Sequence, residues 1–99
     1  MAILTSFKIP GNPDELLAEK KEKADPHFRE IADENGSIAH FVARQDDGLR
    51  IYNVWESVEG MERTSEAFRP RARELGLTEP TEWQQFDVLQ QEFSGRGSS

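Results

Sequence analysis

Four side chains in the middle of the chain have types that could act together in chemistry. They are His40, Arg44, Asn53 and Trp55. An imidazole exchanges protons near neutral pH, an amide can stabilise a developing oxyanion, a guanidinium binds anions and an indole forms an apolar wall. The combination predicts a site for a small organic molecule, with His40 as general acid or base and Asn53 as the oxyanion or carbonyl donor. Trp55 and Arg44 would contact the substrate.

Three of these residues, His40, Asn53 and Trp55, also have a plain structural interpretation. A histidine on an edge strand is often a surface residue or a hydrogen-bonded structural one, so His40 need not meet a substrate. The Asn53 amide could fix the register of a central strand, and Trp55 could belong to the hydrophobic core. His27, which follows Pro26 at the margin of an apolar helical stripe, is a further candidate for substrate binding that could also face the solvent. The functional and structural interpretations both stay open.

The face on which these side chains lie depends on one predicted hairpin. Two runs of alternating residues flank Asp47-Gly48, which is typical of a two-residue turn. That turn pairs His40 with Trp55 and places all four candidates on one face. A three-residue turn would shift the register by one residue. In the first register the opposite face is almost wholly apolar, with Ala39, Phe41, Ala43, Tyr52 and Val54.

The first third of the chain predicts a strand and an interrupted helix. Residues 3–9 are a β-prone run, and Asn12 has the type and position of a helix cap. Pro26 lies inside the helical pattern, so we expect a kink or a break beside it. The mixed charges of residues 19–23 predict a solvated helix face, and Asn35-Gly36 ends the element.

The last part of the chain predicts a second helix and a final strand. Ser57 caps the helix, and Gly76 lies where a left-handed terminator belongs. The apolar stripe of this helix consists of Met61, Ser65, Phe68, Ala72 and Leu75. Pro70 interrupts this stripe, so we expect this helix to bend or split as well. Residues 82–93 predict the last strand, and residues 94–99 a flexible tail.

The order of elements is strand, helix, strand, strand, helix, strand, with residues 37–46 and 49–56 as the middle strands. With right-handed crossovers, this order predicts an α+β ferredoxin-like fold, βαββαβ, over residues 1–93 as a single domain. The four antiparallel strands would have the order 4-1-3-2, with both helices on one face. Because the first and third strands are apolar on both faces, a second copy is expected to cover the free face in a homodimer.

Composition and charge exclude several classes of protein. The 99 residues include 19 acidic and 12 basic side chains, and a net charge of −7 disfavours a nucleic-acid partner. Without cysteine, the chain has no disulfide, thiolate metal site or cysteine nucleophile. Its two histidines are too few to predict a metal site. The apolar runs are far shorter than the roughly 20 residues that span a bilayer, and the first residues lack a signal-peptide pattern, so we expect a cytoplasmic protein without a membrane partner.

One short motif resembles a known superfamily. The strand that ends in Trp55-Glu56-Ser57 leads straight into the second helix, inside a chain of this length and element order. This arrangement resembles the dimeric α+β-barrel proteins of the antibiotic biosynthesis monooxygenase type. The resemblance covers residues 2–93 in layout and is sharp over residues 53–57. The superfamily includes cofactor-independent oxygenases of polyphenolic substrates, haem-degrading enzymes, small cyclases and isomerases, and proteins without known activity.

The resemblance implies a homodimer with a pocket between the sheet and the helices. It implies monooxygenase-like chemistry on an aromatic or polyketide-like substrate without a cofactor, or cyclase or isomerase chemistry on the same scaffold. The alternative is a non-catalytic homodimeric ligand-binding or stress-response module. Many members have a pocket-facing histidine or aromatic residue at the place of Thr64, which makes Thr64 a candidate substrate contact. Haem degradation is not expected, because Thr5-Ser6-Phe7 and Arg69–Arg73 replace the asparagine and histidine of that branch.

Overall fold

In the computed structural model, which describes residues 2–92, four antiparallel strands form one sheet with the helices packed against one face. The strands are β1 (Ile3–Pro10), β2 (Ser37–Gln45), β3 (Gly48–Trp55) and β4 (Thr81–Asp87). Their order in the sheet is β2-β3-β1-β4, as predicted. The α+β ferredoxin-like fold class is therefore confirmed. The predicted tail, residues 94–99, lies outside the described residues.

β4 is shorter than the predicted strand. Its register pairs Asp87 with Ile3, which is the first residue of β1. Beyond this pair β1 offers no further strand residue as a hydrogen-bonding partner. One more bond forms, from the backbone N–H of Val88 to the carbonyl of Ala2. Residues 88–92 then leave the sheet, so the prediction of a strand that continues to residue 93 is wrong.

The first helical region is divided at the predicted place. α1 (Pro13–Glu19) begins at Asn12, whose Oδ1 atom accepts a hydrogen bond from a backbone N–H of the first turn. A π-helical segment (Lys20–Ala24) follows, and α2 (Asp25–Glu34) continues from it. The interruption next to Pro26 is therefore a widened helical turn between two α-helices.

The second predicted helix is a single element. α3 (Val58–Glu74) begins at Ser57, whose Oγ atom accepts from the backbone N–H of Gly60 at 3.1 Å. Gly76 follows with a φ of +69°, as expected of a left-handed terminator. Pro70 is exposed and lies inside the helix, which continues through it as one element, so the helix is not split there. Within the described part of the chain, no helix is long and apolar enough to cross a membrane.

The hairpin between β2 and β3 differs from the predicted one by two residues. His40 pairs with Asn53 and not with Trp55, so the predicted pairing is wrong. The turn residues are Asp46-Asp47 instead of Asp47-Gly48. Because side chains alternate between the faces of a strand, a shift by two residues leaves the side chains of β2 from Ala39 onward on their predicted faces. The error therefore changes the cross-strand partners but not the composition of either face.

Gly48 explains the difference in the hairpin. It lies in β3 opposite Pro10 of β1, and a Cβ atom there would be 2.2 Å from the carbonyl oxygen of Ile9. Glycine is thus required by the close approach of a neighbouring strand, as strand glycines often are. Asp47-Gly48 is also typical of a two-residue turn, which is why the sequence predicts the turn one residue too late.

The hydrophobic core lies between the helices and one end of the sheet. Ile3, Ala32 and Trp55 are fully buried there, with Phe28 and Met61 packed against them. These residues come from two strands and two helices, so their contacts hold the helices on the sheet. The rest of the inner face is less tightly covered, which leaves room for a cavity.

The outer face of the sheet is free in the single chain. Phe41 on β2 is 59% exposed and Phe86 on β4 is 50% exposed. Tyr52 and Val54 lie on the same face and are half-buried. This is the face that the sequence predicts to be apolar.

Gly60 provides a test of the contact between α3 and the end of α2. A Cβ atom there would lie 2.0 Å from the carbonyl oxygen of Asn35. Gly60→Ala should lower the free energy of unfolding by more than about 2 kcal/mol, although alanine favours helices, because the two backbones must separate. Chemical denaturation measures the change, with Glu59→Ala at the exposed neighbouring position as control. An unchanged midpoint for Gly60→Ala would contradict this close approach.

Candidate functional site

A cavity of about 950 Å³ lies between the inner face of the sheet and the helices. Alternate side chains of the strands form its floor, because they share one face of the sheet. These are Thr5, Phe7, His40, Ile51, Asn53 and Trp55. The helices contribute Leu16, Ala24, Phe28, Met61 and Phe68 to the opposite wall. The cavity therefore has the size and the mainly apolar inner lining of a small-molecule pocket.

His40 and Asn53, the two predicted catalytic residues, are cross-strand partners at this cavity. The Nδ1 atom of His40 lies 2.6 Å from the Oδ1 atom of Asn53. An amide oxygen accepts hydrogen bonds and never donates them, so Nδ1 carries the proton of the neutral ring. The other ring nitrogen, Nε2, is then an acceptor, and it is buried without a hydrogen-bond partner among the described residues. The pair thus holds an unused proton acceptor in a buried position.

Burial lowers the pKa of His40 below its ordinary value of 6.5. The main cause is the loss of water around the ring, which disfavours the charged imidazolium. The hydrogen bond with Asn53 raises the pKa, the positive charges of Lys20 and Arg29 lower it, and Asp25 raises it. Because the balance is downward, His40 is neutral at pH 7, which is the form that a general base requires.

Phe28 is the centre of an aromatic cluster beside His40. Its ring centroid lies 5.9 Å from that of His40 and 6.3 Å from that of Trp55. The ring of Phe68 meets it edge to face at 5.3 Å. Such edge-to-face contacts are favourable, and the cluster supplies the apolar surroundings that desolvate the imidazole. The spacing of apolar residues in the first helical region predicts that Phe28 lies on its buried face. Nothing in the sequence indicates that Phe28 lies beside His40.

Trp55 has its polar group satisfied inside the protein. Its Nε1–H donates to the hydroxyl of Thr5 at 3.3 Å, and that hydroxyl donates to the backbone carbonyl of Asn53 at 3.5 Å. All three residues are buried. The indole is therefore held in one orientation at the floor of the cavity, as a wall residue would be.

Three other predicted substrate contacts lie outside the cavity lining. Arg44 is exposed near the end of the hairpin, where it forms an ion pair with Asp14. His27 is half-buried on α2. Thr64 is buried, but its hydroxyl donates to the carbonyl of Gly60 at 2.8 Å, one turn back along α3. Of the six predicted site residues, the structure brings together His40, Asn53 and Trp55.

Lys20 and Asp25 also line the cavity, although the sequence predicts a solvated face for residues 19–23. The Nζ atom of Lys20 lies 2.5 Å from the Oδ1 atom of Asp25, and their side chains are 12% and 33% exposed. The predicted solvation is therefore wrong for Lys20. Pro26 was the available signal, because a proline inside a helix changes which residues share a face.

The outer part of the cavity is lined by charged residues of α3. They are Glu62, Glu66, Arg69 and Arg73, all exposed. Water screens such charges strongly, so they contribute less to binding than charges inside the cavity. Within residues 2–92, no cluster of histidine and acidic side chains could hold a metal ion.

Solved structures match this architecture over most of the chain. A mutant of SnoaB, a cofactor-independent oxygenase from Streptomyces nogalater, has 23% identity and a TM-score of 0.61, with 91% of this chain and 93% of that chain covered. A dimeric ferredoxin-like protein from an uncultured marine organism has 14% identity and a TM-score of 0.70, covering 94% and 93%. An antibiotic biosynthesis monooxygenase candidate from Chloroflexus aurantiacus has 18% identity and a TM-score of 0.65, covering 96% and 100%.

These likenesses confirm the predicted resemblance at the level of the fold. The chain has the ferredoxin-like α+β fold of solved proteins of the antibiotic biosynthesis monooxygenase type. At these identities the likeness establishes the fold, and the reaction must be argued from the site. No protein-family model matches the sequence, and no curated protein matches it at a significant level.

The lowered pKa of His40 predicts a fold that is sensitive to acid. The unfolded chain binds a proton at this residue near pH 6.5, whereas the folded chain binds it at a lower pH. The free energy of unfolding should therefore fall as the pH drops through 6.5 and stop falling, for this residue, below the folded-state pKa. Denaturation between about pH 7.5 and pH 5 should show this component in the wild type and in His27→Gln, but not in His40→Gln. Equal pH slopes in all three proteins would contradict the assignment.

Proposed function

We propose that the chain binds an aromatic or polyketide-like molecule in this cavity and oxidises it as a monooxygenase without a cofactor. The observation that supports the proposal is the His40–Asn53 pair, a neutral imidazole with a free Nε2 atom at an apolar cavity. Such a base can remove a weakly acidic proton from a bound substrate. The shared fold with SnoaB, a cofactor-independent oxygenase, supports molecular oxygen as the second substrate.

The reaction would begin with proton transfer from an acidic CH₂ or phenol group of the substrate to the Nε2 atom of His40. The resulting carbanion or phenolate transfers electrons from carbon to O₂ and a carbon–oxygen bond forms. The imidazolium of His40 then returns its proton to the peroxide, which gives a hydroperoxide. Loss of water from the hydroperoxide then converts the CH₂ group to a carbonyl, with one oxygen atom in the product and the other in water. The substrate supplies all the electrons, so the protein needs to provide a base, a dry cavity and stabilisation of the anion. Cyclisation or isomerisation would share the first step.

Asn53 would have two tasks in this reaction. Its Oδ1 atom accepts the Nδ1–H group of His40 and stabilises the imidazolium that forms after proton transfer. Its amide nitrogen has two N–H groups, which can donate to a substrate oxygen that becomes negative in the transition state. Trp55 would form the apolar wall against which an aromatic substrate packs.

The alternative proposal is a non-catalytic homodimeric ligand-binding or stress-response module. Thr64 supports this alternative. Many proteins of the superfamily have a pocket-facing histidine or aromatic residue at this position, whereas the hydroxyl of Thr64 donates to a backbone carbonyl of its own helix. Such a module would bind the same class of aromatic molecule in the same cavity. Binding without oxygen consumption distinguishes it from the enzyme.

Substitution of His40 tests the catalytic proposal. His40→Ala should lower the turnover of an anthrone probe by about 10²–10⁴-fold, because the general base is lost. Oxygen uptake together with the absorbance of the quinone product measures turnover. Asn53→Ala should also lower kcat, since the imidazole loses its partner, whereas Glu30→Ala at an exposed position of α2 is the matched control. Equal turnover by wild type and His40→Ala would exclude His40 as the base, and probe binding without oxygen uptake would favour the ligand-binding module.

We also propose that two copies stack through the free face of the sheet. Its apolar part contains Phe41 and Phe86, both at least half exposed in the single chain. The other end of this face is charged, and the Nη2 atom of Arg50 lies 3.3 Å from Glu82. The apolar part requires a cover, and a solved protein with the same fold is dimeric.

The homodimer predicts a specific effect of Phe41. Phe41→Asp should shift sedimentation at micromolar concentration from dimer to monomer, because a buried unpaired charge opposes stacking of the sheets. Phe41→Leu keeps the position apolar and should remain dimeric. A wild-type protein that sediments as a monomer over the whole micromolar range would contradict the proposal.

A further inference from the structure

The π-helical segment brings two charged residues to one face that an α-helix would separate. In an α-helix, residues five apart lie about 140° apart around the axis. In the segment Lys20–Ala24, the backbone N–H of Asp25 instead donates to the carbonyl of Lys20, five residues earlier. The wider turn places these two side chains together, with 2.5 Å between the Nζ atom of Lys20 and the Oδ1 atom of Asp25. The ion pair is therefore a product of the π geometry.

Pro26 accounts for the position of this wide turn. Proline has no N–H to donate to residue 22, and in an α-helix its ring would clash with that carbonyl. A turn with one extra residue relieves the clash and lets the helical region continue as α2. Such π turns inside α-helices are frequently found at functional sites.

Lys20 occupies an unusual position for a lysine. A lysine side chain normally extends its charged end into water, as the exposed Lys21 and Lys23 of the same segment do. The side chain of Lys20 is instead 12% exposed, and it lines the cavity together with Asp25 and His40. One N–H of its ammonium group is directed to Asp25. The two remaining N–H groups can donate to a molecule in the cavity.

We propose that Lys20 binds an acidic hydroxyl oxygen of the substrate in its anionic form, with Asp25 holding the ammonium group in place. The cavity would thus select aromatic compounds that have an acidic hydroxyl group over those that lack one. The proposal deepens the proposed function and rests on it, because the anion that Lys20 stabilises is the one that proton transfer to His40 creates. Lys20 would be a binding and specificity residue, and the π-helical segment would be the element that positions it.

A pair of probes that differ in one hydroxyl group tests this selectivity. At a pH where it is ionised, 4-nitro-1-naphthol should bind the wild type more tightly than 1-nitronaphthalene, as titrations of absorbance and protein fluorescence would show. Lys20→Met should weaken binding of the naphtholate by about tenfold or more, the usual effect of losing a hydrogen bond to a charged group, and leave 1-nitronaphthalene unaffected. Lys21→Met, at an exposed neighbouring position, should bind both probes as the wild type does.

Asp25→Asn provides a second variant with the opposite expected effect. Asparagine keeps an Oδ1 atom that can accept the hydrogen bond from Lys20, but it removes the competing negative charge, so the naphtholate should bind more tightly than to the wild type. A titration of the His40 ring by NMR reports the geometry without any ligand. The pKa of His40 should rise in Lys20→Met and fall in Asp25→Asn, because Lys20 and Arg29 lower this pKa while Asp25 raises it. Lys21→Met should leave it unchanged.

The outcomes separate failure of this inference from failure of the proposed function. If the wild type binds both probes and Lys20→Met retains the preference for the naphtholate, the role of Lys20 is refuted while the cavity remains a ligand site. If neither probe binds the wild type, the proposed function and this inference both fail. An unchanged His40 pKa in Lys20→Met would show that the ammonium group does not face the imidazole, and would also overturn the assignment.

Discussion

The alternation of side chains along β3 is the constraint on which the rest of the molecule depends. This central strand pairs with β1 on one side and β2 on the other, so its geometry is set from both edges. Ile51, Asn53 and Trp55 face the helices, whereas Tyr52 and Val54 face the free side of the sheet. One short strand thus contributes to the core, to the floor of the cavity and to the surface proposed to form the dimer. A slip of one residue would exchange these roles, which makes the register the most sensitive feature of the fold.

The floor of the cavity includes polar side chains, whereas a simple core would be wholly apolar. Thr5, Asn53 and His40 all lie on the inner face, and their hydrogen bonds are made to one another or to Trp55. Satisfied in this way, buried polar groups cost little, whereas each unsatisfied one costs about 1–3 kcal/mol. The Nε2 atom of His40 is such an unsatisfied group among the described residues. A substrate proton in the cavity could bind to this unused acceptor. A buried polar atom without a partner is unfavourable for the fold, so function is most expected at such a position.

Helical irregularity shapes the other side of the same site. Pro26 prevents a regular α-helix, and the resulting π turn places Lys20 and Asp25 at the cavity. A few residues further on, Phe28 packs against His40 and Trp55 and removes water from the imidazole. The same segment of chain therefore controls both the charges and the dielectric environment around the proposed base. Ala32, which is fully buried in the core with Ile3 and Trp55, holds the following part of α2 against the sheet.

Much of the architecture could be derived from the sequence, because it depends on local signals. The caps Asn12 and Ser57 and the terminator Gly76 act within one helical turn. Strand alternation keeps His40 and Asn53 on a common face in the predicted register and in the observed one, because the two registers differ by two residues. The hairpin register could not be derived in the same way. Glycine is needed at position 48 because the backbone of β1, which is distant in the sequence, passes too close for a Cβ atom. The inward position of Lys20 and the outward position of Arg44 likewise depend on how the helices lie over the sheet. Residue patterns therefore establish the elements and their faces, because these follow from short-range geometry, while cross-strand partners, burial and the membership of the site arise from contacts between segments that are distant in the sequence.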